Sequence, residues 1–115
     1  MKITHQDRRE TAVLTLKGDL TGDSAERLRR AALERIDARA RDFVLDLGGI
    51  DAIDSQGLEA LLWIQDQCAD RLGQVRLAAA GEVVADVLKI TRLAGRLENH
   101  PDVDAAIQSL EVHHA

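Results

Sequence analysis

The chain has 115 residues, 45% of them hydrophobic and 30% charged, which suits one globular domain and excludes fibrous or disordered states. Twenty acidic against fifteen basic side chains leave a formal charge of −5, and Phe43 and Trp63 are the only aromatics; both facts argue against binding phosphate backbones or stacked bases. No run approaches the roughly 20 apolar residues of a membrane span, Met1-Lys2-Ile3-Thr4-His5 has no signal-peptide apolar run, and Cys68 is alone. The expectation is a cytoplasmic domain in a reducing compartment, with no direct membrane insertion.

Lys2 to Arg9 is expected as an edge strand, with Arg8-Arg9-Glu10 as a short polar hairpin connection into a second strand, Thr11 to Gly18. Asp23-Ser24-Ala25-Glu26 reads as a capping box, an acceptor at the cap and Glu three residues on. From there Leu28, Ala32 and Ile36, with Ala25 and Ala31 beside them, repeat at helical spacing to about Ala40. Phe43 to Leu47 is a short apolar run, read as a buried central strand ended by Gly48-Gly49.

A second helix is expected from Ser55 to about Leu72, carrying Leu58, Leu61, Leu62, Cys68, Ala69 and Leu72 on one face and stopped by Gly73. Gln74 to Ala80 reads as a strand, and Glu82 to Ile90 as a third helix through Val83, Val84, Val87 and Leu88. Arg96 to Asn99 suggests a short edge strand, and Pro101 opens a last helix through Val103, Ala106, Ile107 and Leu110. Strands alternating with helices require crossovers. The fold class is therefore α/β: one domain over 1–115, a four- to five-stranded mostly parallel sheet with an antiparallel N-terminal pair. About four helices accompany it, the main ones on one face.

The unusual stretch is Asp46-Leu47-Gly48-Gly49-Ile50-Asp51-Ala52-Ile53-Asp54-Ser55-Gln56-Gly57-Leu58: a buried strand, a glycine turn, an acidic loop, then a hydroxyl at a helix start. A helix start has unpaired N–H groups and a positive dipole end. Ser55 can cap there through its oxygen, and a phosphate on it would meet donors that already favour an anion. The plainer reading of Asp-Ser-x-Gly before an apolar helix is a cap and a turn.

Gly18-Asp19-Leu20-Thr21, Val44-Leu45-Asp46-Leu47 and Ile53-Asp54-Ser55-Gln56-Gly57-Leu58 together resemble the STAS domain of anti-sigma factor antagonists, and the order of elements matches over nearly the whole chain. The resemblance implies partner switching. In that family the unmodified antagonist binds an anti-sigma factor that is also a Ser/Thr kinase of GHKL type. The kinase phosphorylates the serine after the aspartate, here Ser55, and a PP2C-type phosphatase reverses it. Together with the helix spacing below, the expected partner-binding surface is Thr21, Asp23, Asp54, Ser55, Gln56, Gly57, Glu59 and Trp63. Three positions depart from the family pattern: Gln56 replaces a second hydroxyl, Glu59 a small residue, and Thr21 an acid. Two other roles are open to a STAS domain: a non-switched soluble subunit of a lipid-transport ABC complex, and a stressosome-type scaffold subunit.

Ser55, Glu59 and Trp63 stand at helical spacing, so Trp63 reads either as an interface anchor or as a ring tucked against a neighbouring helix. Cys68 is expected as a buried small hydrophobe without nearby cations to form a thiolate. His5, His100, His113 and His114 show no metal spacing, and Asp46, Asp51 and Asp54 suit turn and cap roles better than Mg²⁺. There is no glycine-rich phosphate loop and no readable nucleophile–base set, so neither catalysis nor a cofactor is expected.

Overall fold

In the computed structural model, which describes residues 1–114, nine elements follow one another: β1 (Lys2–Arg8), β2 (Thr11–Leu20), α1 (Gly22–Asp37), β3 (Asp42–Ile53), α2 (Ser55–Ala69), β4 (Val75–Ala78), α3 (Glu82–Ile90), β5 (Asn99–His100) and α4 (Val103–His114). The strands form one sheet in sequential order, β1 antiparallel to β2 and each later pair parallel. Ala115 and the side chains of His113 and His114 lie outside the described residues, so the expectation about those two histidines stays there.

Sequential parallel strands need crossovers, and crossovers of one hand in one direction put their helices on one face. Residues alternate along each strand. Ala12, Leu14 and Leu16 of β2, Phe43, Leu45 and Leu47 of β3, and Val75 and Leu77 of β4 share one core with Ala25, Leu28 and Ala32 of α1, Leu58, Leu61, Ile64 and Cys68 of α2, and Val84 and Leu88 of α3. The opposite set, Val13, Val44 and Ala78, packs against Ala106 and Leu110 of α4. Both faces of the central strands are covered. That is why Phe43, Val44 and Leu45 are apolar in succession and not in alternation.

Several boundaries differ from expectation. The glycine pair does not end β3, which runs on to Ile53; the register against β2 slips between Thr15 and Lys17 and again between Gly18 and Asp19, so the extra residues are absorbed as bulges. Gly49 has its place because a Cβ there would stand 2.7 Å from Lys17 Cγ and 3.0 Å from the Leu16 carbonyl oxygen. The capping box does not form: Thr21 is the N-cap of α1, it makes no side-chain cap bond, and Asp23 lies inside the first turn. Pro101 precedes α4, whose start is capped by Asp102 accepting from Ala105 N at 2.8 Å. Val83 faces water, as do Ala69 and Leu72.

Helix ends explain the misplaced stops. Arg39, Leu72 and Arg92 each take a left-handed φ, at 75°, 62° and 64°. After each, the next amide reaches back five residues, Ala40 N to Arg35 O, Gly73 N to Cys68 O and Leu93 N to Leu88 O, at 2.9, 2.8 and 2.8 Å. These are Schellman closures with a non-glycine residue in the position that favours glycine. Hence α1 stops at Asp37, short of Ala40, and Gly73 is not the left-handed residue. Its lack of a side chain serves another purpose, since a Cβ would overlap the Arg41 carbonyl oxygen.

Leu72 is 85% exposed, so little packing is lost by removing it. Leu72→Gly is expected to raise stability by about 0.5–1 kcal/mol through relief of the left-handed strain. Gly73→Ala should lower it. Urea denaturation of both variants reads the two opposite shifts.

Candidate functional site

The parallel pairing of β2 and β3 ends on the pair Leu20 and Ile53. The next residues, Thr21 and Asp54, are the N-caps of α1 and α2. Two helix starts therefore lie side by side at the carboxyl edge of the sheet, where open α/β folds place their sites.

Asp54 joins them. Its backbone is extended, its N–H donates to the Leu20 carbonyl at 3.3 Å, and its carbonyl accepts from Leu58 N at 3.0 Å. Its side chain accepts twice: Oδ1 from Gly57 N at 2.9 Å, the cap of its own helix, and Oδ2 from Gly22 N at 3.3 Å, the first residue of α1. Gly57 is buried, and a Cβ on it would overlap the Leu20 carbonyl oxygen. It is a spacer that lets α2 approach β2.

Ser55 is the first residue of α2 and is exposed. The capping role suggested by its hydroxyl belongs to Asp54 instead, which leaves Ser55 free of structural duty. Gln56, Glu59, Asp23 and Asp54 are also exposed, and Thr21 is half-buried. A Cβ on Gly22 would lie 3.7 Å from Gln56 Oε1, so the glutamine amide hangs over the start of α1. Trp63 is half-buried and packs against the main core. At 3.6 residues per turn it stands about 80° round the helix from Ser55. It flanks the Ser55 face and is not centred on it.

Leu20, quoted above only as part of a motif, and Gly22, not singled out in the sequence, complete the site. The signal for Gly22 was a glycine beside a threonine between a strand and a helix; its φ of 39° is one that L side chains rarely adopt. Of the acidic loop, Asp46 accepts from Gly48 N at 3.0 Å and Asp51 lies exposed within β3. Among the described residues no group of three or more His, Cys, Asp or Glu could hold a metal ion, and no helix is long and apolar enough to cross a membrane.

Cys68 is fully buried. Burial pushes its thiol up from 9.0 to about 12, against the pull of Arg71 and with a push from Asp42. A cation is thus near after all, but desolvation outweighs it.

Two outcomes follow from these contacts. Gly57→Ala should cost about 1–3 kcal/mol or more, because backbone and not a flexible side chain stands in the way, and should displace the α2 start in amide spectra. Cys68 should resist thiol reagents until the protein unfolds. A thiol whose folded pKa is raised stabilises the fold fully below its unfolded value and loses that contribution as pH climbs from 9.0 to about 12. Cys68→Ala should flatten that part of the pH–stability curve.

Residues 3–99 match the family described as "Mlab, STAS domain". BtrV of Bordetella bronchiseptica, named as a candidate anti-sigma factor antagonist, is 30% identical over 91 residues, 79% of this chain and 78% of BtrV. A solved structure of a candidate anti-sigma factor antagonist from Thermotoga maritima is similar at TM-score 0.88 and 17% identity, over 95% of this chain and 94% of that one. The anti-sigma factor antagonist SpoIIAA in its unphosphorylated form gives 0.82 at 20% identity, over 99% and 98%. The phosphorylated form of this Bacillus protein gives 0.75 at 16%, over 94% and 99%. At such identities the structural likeness establishes the fold, while the family match and the BtrV alignment rest on sequence. The chain belongs to the STAS domain family, as a distant relative of a protein named as an anti-sigma factor antagonist.

Proposed function

We propose that this chain is an anti-sigma factor antagonist that works by partner switching. Unmodified, it binds an anti-sigma factor that is also a GHKL-type Ser/Thr kinase; phosphorylation of Ser55 releases it, and a PP2C-type phosphatase resets it. The observation that carries the reading is the free, exposed hydroxyl of Ser55 at the meeting point of two helix starts, with the capping work done by Asp54. SpoIIAA, which shares the fold, is known in unphosphorylated and phosphorylated forms, and this supports the serine as the switch.

The physics of the switch lies at the surface. A phosphoserine carries about −1.5 to −2 charges, and on the first turn of a helix it gains roughly 0.3–1 kcal/mol from the dipole when exposed. The fold has no reason to rearrange. Binding bears the cost, because Asp54 and Glu59 already make the surface negative and a partner shaped for a hydroxyl must desolvate a further anion. Each 1.4 kcal/mol is a tenfold loss of affinity. Trp63 supplies apolar contact at the flank, which the phosphate does not touch directly.

A second reading has its own support, since the matched family is described as Mlab and not as an antagonist. A non-switched STAS subunit of a lipid-transport ABC complex would use the same helix starts for docking alone.

Treatment with the GHKL-type kinase from the same genome, followed by mass spectrometry, should place phosphate on Ser55. Phosphate mainly on Thr21, Ser24 or Thr91 would refute the assignment. Ser55→Ala should change stability by less than about 0.5 kcal/mol, since no cap is lost, and should bind the kinase constitutively. Ser55→Asp should weaken binding with unchanged melting, and Trp63→Ala should weaken it whether or not Ser55 is modified. Chemical-shift changes spreading beyond the first turn of α2 on phosphorylation would overturn the surface mechanism. A protein that ignores the kinase and binds an ABC ATPase equally well with Ser55→Asp would establish the second reading instead.

A further inference from the structure

Asp54 does more than a helix cap requires. Capping α2 needs one acceptor, and the Oδ1 bond to Gly57 N at 2.9 Å supplies it. The second oxygen spans 32 residues of sequence to the first amide of α1, at 3.3 Å. On the α1 side this acceptor is wanted, because Thr21 makes no side-chain cap bond of its own. Gly22, at φ 39°, gives the chain a turn that L side chains rarely adopt, and its N–H meets the carboxylate there. Gly57 permits the approach from the other side by leaving the Leu20 carbonyl room. Among the described residues, no other side-chain hydrogen bond joins α1 to α2.

We propose that Asp54 is a positioning residue whose carboxylate ties the starts of α1 and α2 into one preformed docking rim. The role rests on the reading that this rim meets a protein partner. It needs a carboxylate specifically. Ionised Asp has two oxygens and no donor, whereas Asn would keep one acceptor for Gly57 and turn an NH₂ toward the Gly22 N–H, and Ser has a single oxygen. Both substitutes preserve the α2 cap and lose the tie. With the tie lost, Thr21, Gly22 and Asp23 must be ordered when the partner binds, and affinity falls by that ordering cost.

The test separates cap from tie on the full chain. In wild type the Gly22 and Gly57 amides should both be protected from hydrogen exchange. Asp54→Asn and Asp54→Ser should speed exchange of Gly22 about tenfold while leaving Gly57 protected, and Asp54→Ala should release both. The same two substitutions should weaken binding of the GHKL-type kinase roughly five- to twentyfold with melting close to wild type, a split that a purely capping role would not produce. An unchanged Gly22 amide in Asp54→Asn, or full kinase affinity in Asp54→Ser with Gly22 released, overturns the proposal. Should the wild-type chain not bind that kinase at all, the partner reading falls, and the two amides still decide whether the tie exists.

Discussion

Two parallel strands that end in register, at Leu20 and Ile53, bring the first turns of two helices within hydrogen-bond reach of a single carboxylate. The contact depends on Gly57, the one buried residue at the start of α2 before Leu58, where the Leu20 carbonyl fills the space that any side chain would take. Moving α2 outward by a methyl group would separate Asp54 from Gly22 and break the rim into two unrelated helix ends. The geometry of the site is thus set by a backbone-to-backbone approach, and the polar groups ride on it.

The same end of the molecule collects the features that make it suitable for a switch. All three crossover helices begin there, because each follows the carboxyl end of a parallel strand. Ser55 stands free because its neighbour has taken the cap, so a bulky anion can be added without removing a bond the fold uses. On the proposed reading, the exposed acids Asp23, Asp54 and Glu59 would set charge of the same sign around a phosphate on Ser55. Structural economy at Asp54 and chemical freedom at Ser55 are two sides of one arrangement.

Away from the site the fold tolerates strain where solvent allows it. Arg39, Leu72 and Arg92 close three helices in left-handed conformations, on side chains that are exposed or half-exposed and can swing clear of the chain. Three glycines sit elsewhere, where backbone approaches backbone: Gly49 against β2, Gly57 against Leu20, Gly73 against Arg41. At these three positions glycine serves proximity, whereas at Gly18 and Gly22, with φ of 111° and 39°, it serves the turn of the chain.

That division explains what was readable in the residues themselves. Apolar spacing located the helices and the buried strands, because burial on one helix stripe or both strand faces leaves its mark in the sequence whatever the partner is; the exposed edge strands β1 and β5 carry no such mark, and β5 lies at Asn99–His100, not over Arg96 to Asn99. The order strand, strand, then alternating helix and strand determined the mixed sheet. Asp54, Ser55 and Gly57 were recognisable as a group from the residue pattern alone. Their separate duties were not. Whether the serine or the aspartate caps α2, whether Gly48 and Gly49 end a strand or bulge within it, and whether Gly73 turns the chain or makes room for it depend on which distant backbone lies alongside. Leu16, Leu20, Gly22 and Arg41 hold those answers. Each is 30 or more residues from its counterpart in sequence, and only the packed sheet brings them together.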